Sequence, residues 1–162
     1  MVTIYETCHL VLRINRYRKL SNQVIDAISE HNAIQAKGGL VNLTKFGRGL
    51  TQTKLNRINR QIKDGKETFL FLVYKEKSKF KFHKSIIQKA FTHEKQNVDN
   101  VNSPTYYKEI DMKKGVNFIL SAQLEPIDNV ELYMEKTNKP IEQVLGECRT
   151  ALLFVKQMTD FN

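Results

Sequence analysis

The chain has 162 residues, with 26 Lys and Arg against 17 Asp and Glu for a net charge of +9, and it carries two cysteines and no tryptophan. That length suits one domain with one core over 1–162, and the positive excess suits a polyanionic partner, since released counterions drive such binding. Cysteines this few exclude a disulfide framework, and no apolar window approaches the length of a membrane-spanning helix. With no leader-like pattern at its start, the chain reads as cytoplasmic.

Residues 1–14 end in an alternating segment, with Cys8, Leu10, Leu12 and Ile14 on one face and Tyr5, Thr7, His9, Val11 and Arg13 on the other, which predicts a strand. Residues 15–19 read as a basic turn. Ser21 reads as the N-cap of a helix whose buried stripe is Val24, Ile25, Ile28 and Ile34, and Gly38-Gly39 stops it. Residues 40–46 make a second strand, left by the loop Gly47-Arg48-Gly49. Thr51 caps a second helix that buries Leu55, Ile58 and Ile62 and leaves Lys54, Arg57 and Arg60 more exposed, until Asp64-Gly65 ends it. The nearly continuous apolar run 69–74 predicts a central strand covered on both sides, and 75–79 turns it into a hairpin partner over 80–91.

The polar, aperiodic stretch 92–103 reads as the one long loop. Pro104-Thr105-Tyr106-Tyr107 follows, then a strand over 115–120, a short strand over 131–135, a short helix over 141–146 opened by Pro140, and a last strand over 150–155. Six or seven mostly meandering strands and three helices predict an α+β domain, with a small, curled or closed, mostly antiparallel barrel flanked by the helices.

Catalytic patterns are sparse. His9 and Cys8 are neighbours on a strand and point to opposite faces, so they do not share a metal, and neither a nucleophile elbow nor a phosphate-binding glycine loop occurs. No catalytic residue, metal or cofactor is expected. Asp64-x-Lys66 and Asp111-x-Lys113 have the form of half a nuclease metal site, a form that arises by chance in a lysine-rich chain.

Basic residues interleaved with aromatic ones carry more information, because unstacked bases are held by stacking while their phosphates are held by Lys and Arg. The expected backbone contacts are Arg16, Arg18, Lys45, Arg48, Lys54 and Arg57. The expected base pocket lies between the second strand and residues 104–108. Tyr106 or Tyr107 is its stacking platform, Phe46 the second choice, and Asn42 or Asn117 the amide that reads the base edge. The competing account has the two tyrosines covering the core.

Residues 39–47, the helix end Ile58-Asn59-Arg60-Gln61-Ile62-Lys63-Asp64-Gly65, the run 68–73, Pro104-Thr105-Tyr106-Tyr107 and Val116-Asn117-Phe118-Ile119 together resemble the PUA-like superfamily. Within it the order is similar to the EVE-type and YTH-type modules at the N-terminus of McrBC-type modification-dependent restriction systems, and Asn42 and Asn117 stand where such modules commonly have tryptophan. The resemblance implies a small β-barrel flanked by helices that flips a methylated base into an aromatic-lined pocket. It further implies a non-catalytic reader of modified double-stranded DNA in a defence system, with an ATPase or nuclease effector in the same or another chain. An RNA-binding PUA-like module and a small nuclease are the alternatives.

Overall fold

The structure, a computed structural model, describes residues 7–20, 22–47, 50–92, 103–104, 106–107, 115–128 and 131–157. Among them run β1 (Cys8–Arg13), β2 (Tyr17–Leu20), β3 (Gln23–Asp26), α1 (Ala27–Gly38), β4 (Val41–Phe46), α2 (Gln52–Lys63) and β5 (Phe69–Glu76). Then come β6 (Lys79–Thr92), β7 (Gly115–Leu120), β8 (Glu125–Ile127), β9 (Leu132–Met134), α3 (Ile141–Glu147) and β10 (Leu152–Gln157). The fold is α+β, with three helices on a mostly antiparallel sheet.

The sheet has the order β4-β7-β6-β5-β1-β10-β9, with β8 also on β6, and β2 and β3 form a separate two-stranded ribbon. β1 and β5 are parallel; the other pairs are antiparallel. One edge of β6 pairs with β5, and its other edge takes β8 at residues 82–84 and β7 at 87–92, past a bulge between Ile87 and Lys89. β7 and β8 are thus successive pieces along a single edge. Beyond the bulge no strand among the described residues pairs with the β5 side of β6, and α2 fills the place. The Asn59 carboxamide accepts from Ala90 N–H at 2.9 Å and donates to Ala90 C=O at 2.7 Å, satisfying both groups as a strand would.

Two cores lie on opposite faces of β1 and β5. Leu10, Leu12, Leu70 and Leu72 pack with Ile28 of α1, Leu55 and Ile58 of α2, and Val41, Leu43, Phe118 and Leu120 of β4 and β7. Val11, Phe71, Val73 and Val155 pack with Ile141, Val144 and Leu145 of α3. This double cover explains why 69–74 lacks alternation, as the sequence predicts for a central strand.

α2 follows its sequence signals. Thr51 accepts from Lys54 N–H, Leu55 and Ile58 are buried, and Gly65, at φ 83°, takes the left-handed conformation that turns the chain after the helix. The first helix departs from expectation. Residues 15–19 are not a turn: 17–20 form β2, paired with β3 from Tyr17↔Asp26 to Leu20↔Gln23. Val24 is 68 % exposed and Ile25 half-buried, both on β3, so neither belongs to a helical stripe, and Ser21 lies outside the described residues. The true cap is Asp26, whose carboxylate accepts from Ile28 and Ser29 N–H and pairs with Arg16 at 3.1 Å. An aspartate is among the preferred N-cap residues, and its negative charge suits the positive end of the helix dipole.

Three further expectations change. Ten strands are present among the described residues rather than six or seven, and β1 sits between β5 and β10 instead of continuing a meander. The strand order has two ends, β4 and β9, so no closed barrel forms among the described residues. The expected loop at 92–103 falls almost wholly outside those residues.

The β5–β6 turn holds Lys77 at φ 50° and Ser78 at φ 66°, both left-handed, as a type I′ hairpin requires and as Asn-Gly adopts with least strain. Replacing the pair by Asn-Gly is expected to stabilise the fold by about 1 kcal/mol, read as a higher urea midpoint at unchanged slope.

Candidate nucleic-acid interface

Because β1 and β5 are parallel, their C-terminal ends, Arg13 with Asn15 and Val73 with Lys75, finish on the same side of the sheet. The last residues of β4, Thr44, Lys45 and Phe46, reach this side too. With Arg18 of β2, His31 of α1 and Tyr106 and Tyr107 they enclose a cavity of about 540 Å³, a size typical of pockets that take one small organic group. Arg13, Arg18, Lys45 and Lys75 line it, as do the rings of Phe46, Tyr74, Phe80, Tyr106 and Tyr107, and no Asp or Glu does so among the described residues. Positive charge and aromatic surface therefore share one concavity.

A buried chain of hydrogen bonds fixes its wall. His31 Nδ1 lies 2.6 Å from the Ala27 carbonyl, which can only accept, so Nδ1 carries the proton. Nε2 then accepts from the Tyr107 hydroxyl at 2.8 Å, and the Tyr107 oxygen accepts from Thr44 N–H at 3.1 Å. β4 ends the sheet, and this outward N–H would otherwise be unpaired. Burial pushes the His31 imidazole down to about 4 and the Tyr107 phenol well up, so both stay neutral near pH 7. Burial also takes the Tyr106 phenol up to about 12. The Tyr107 ring meets Phe46 edge-on at 5.0 Å and Tyr106 at 4.9 Å. Gly115 faces Phe46 across the β4–β7 ladder, where a Cβ would strike the Lys45 carbonyl.

Of the residues expected to form the base pocket, Phe46, Tyr106 and Tyr107 come together on the cavity. Asn42 and Asn117 meet each other instead, behind that wall: Asn42 Nδ2 donates to Asn117 Oδ1 at 3.0 Å, Thr44 Oγ1 donates to the same oxygen at 2.6 Å, and Asn117 is 0 % exposed. Asn42 Oδ1 is buried with no hydrogen-bond partner. Tyr106 is buried and the Tyr107 hydroxyl is engaged on both sides, which leaves the half-buried Phe46 ring as the more approachable platform.

The expected backbone contacts divide in the same way. Arg18 and Lys45 line the cavity. Arg16 is committed internally, to Asp26 and to the Tyr74 hydroxyl at 2.7 Å. Arg57 pairs with Glu135, and Lys54 is exposed with its ammonium 5.3 Å from the Phe154 ring. Arg48 lies outside the described residues. α2 is not part of the mouth: Gln61 bonds Cys8 at the start of β1, and Arg13 stands at the other end, five strand steps or roughly 16 Å away. Sequence reasoning omitted Arg13, His31 and Lys75 from the site. Arg13 and Lys75 were visible as members of basic clusters, whereas a lone His31 within a helix gave no signal.

No family model, curated protein or solved structure matches the chain.

Three imidazoles are held below their usual range: His9 down to about 4 by burial and then Lys84, His31 down to about 4 by burial, and His83 in the same direction by burial and then Arg16. Each remains neutral in the folded protein while its unfolded counterpart gains a proton below about pH 6.5, so stability must fall as pH falls. From pH 6.5 to 5, where carboxylates stay largely ionised, the loss is expected to be roughly 1–2 kcal/mol each for His9 and His31. Urea unfolding at several pH values checks this, and His9→Gln should flatten the dependence.

Proposed function

We propose that this chain is a non-catalytic nucleic-acid-binding module that takes one unstacked, modified base of double-stranded DNA into the cavity between β4, the ends of β1 and β5, and Tyr106-Tyr107. The observation that carries the reading is the cavity lining, with cations and aromatic rings together and no carboxylate among the described residues. Phosphates are the anions that accompany a stacking partner, and a base reaches such a concavity only by leaving its stack. The similarity of the β4, α2, β5 and β7 segments to PUA-like modules supports the choice of a modified base, and a PUA-like arrangement is the one that this reading assigns to the sheet.

In this proposal Phe46 is the platform, Tyr106 and Tyr107 hold it in place, and Arg18, Lys45 and Lys75 take the flanking phosphates. The Asn42–Asn117 pair keeps the β4–β7 wall rigid and contributes no base contact. A binding panel at fixed salt, over duplex DNA with and without base modification, single-stranded DNA and RNA, tests it. Modified duplex should bind best, with log K falling against log salt at a slope of roughly −3 to −5. Phe46→Ala should cost about tenfold or more in affinity without loss of fold. Arg18→Ala should weaken all sequences alike. Tyr107→Phe strands Thr44 N–H and should lower stability by about 1–3 kcal/mol while preserving discrimination. A flat salt response rejects nucleic acid as the ligand, and a uniform preference for ribose rejects modified DNA.

A further inference from the structure

Among the described residues, no carboxylate pairs with Arg13. At the end of β1 it donates from Nη2 to the Leu145 carbonyl, and its Nε is buried with no hydrogen-bond partner. No ion pair among the described residues includes it: Asp26, Glu135 and Glu147 are taken by Arg16, Arg57 and Lys139. A half-buried guanidinium bonded only to a neutral carbonyl is costly to keep unless an anion compensates it. The cavity provides a place for that anion, because Arg13 lines it together with Arg18 and Lys75 and, among the described residues, without a carboxylate. The flat fork of a guanidinium matches the oxygens of a phosphate, which also carries the negative charge that a base edge lacks. Phe46 lines the same cavity, so charge and ring are offered to one occupant.

We propose that the cavity takes a whole nucleotide, phosphate included, with Arg13 as the phosphate ligand and the base against Phe46. This rests on the nucleic-acid reading and sharpens it, since the selected group is then a nucleotide and not a bare base. A nucleotide within a strand and a free nucleoside monophosphate share that chemistry, and the experiment separates the two. The intact chain is titrated calorimetrically with adenosine, cytidine and their 5′-monophosphates, and with inorganic phosphate as competitor.

The monophosphates should bind at least about tenfold more tightly than the nucleosides, with phosphate competing. That ratio should collapse toward unity in Arg13→Gln and persist in Lys139→Gln, a change at an exposed ion pair elsewhere. Should Arg13→Gln not fold, Arg13→Lys keeps the charge without the fork and should lower the ratio severalfold. Equal binding of nucleoside and monophosphate by the parent, or an unchanged ratio in either folded Arg13 variant, overturns the proposal. The oligonucleotide panel run beside it tells the two failures apart. Tight duplex binding without a monophosphate preference overturns only the role of Arg13, whereas monophosphate binding through Arg13 with no strand bound more tightly overturns only the nucleic-acid reading.

Discussion

β1 and β5 lie side by side in parallel, and such a pair cannot be joined by a tight turn. The connection between them is everything from β2 to α2, which must leave one end of the sheet and return to the other. The β2–β3 ribbon and α1 depart where β1 ends, and α2 comes back beside Cys8, where β1 begins. That single constraint buries both strands on two faces, requires α3 as a second cover, and gathers Arg13, Lys75, Arg18 and Phe46 around one cavity. It also explains why the α2 cations stand apart from the pocket although they follow β4 closely in sequence.

The wall of the cavity is a polar structure inside an apolar one. Ala27, His31, Tyr107 and Thr44 form a directional series of hydrogen bonds in which each group has one possible role once the Ala27 carbonyl has fixed the imidazole tautomer. Behind it, Asn42, Thr44 and Asn117 share a second set across β4 and β7. Networks of this kind specify one arrangement, because a shifted strand would leave several buried groups unpaired. Phe46, the next residue on that face of β4, inherits its position from them.

How much of this was legible in the sequence depended on distance along the chain. β5 announced itself by an unbroken apolar run, α2 by Thr51 and its spaced Leu55 and Ile58, and the β5–β6 hairpin by adjacency. β2 and β3 were missed because four-residue strands carry little pattern, and because Val24, Ile25 and Ile28 happen to fall at helical spacing. β8 was missed because Pro126 within three residues argues against a strand. At the site, Lys45, Phe46, Tyr106 and Tyr107 could be named from local composition. The mutual bonding of Asn42 and Asn117 could not, since it depends on a register between residues 75 positions apart. Nor could the lack of a carboxylate partner for Arg13 among the described residues, which depends on the carboxylates that Arg16, Arg57 and Lys139 have already taken.

The Asn59 carboxamide has a meaning beyond holding α2 to the sheet. Past its bulge, β6 has an edge that β5 has left, and a backbone edge without a strand partner is the place where a second molecule can add a strand of its own. By bonding both the N–H and the C=O of Ala90, a single side chain takes the pairing groups that an added strand would use there. The strand-pairing capacity of Ala90 is in this respect filled by one amide.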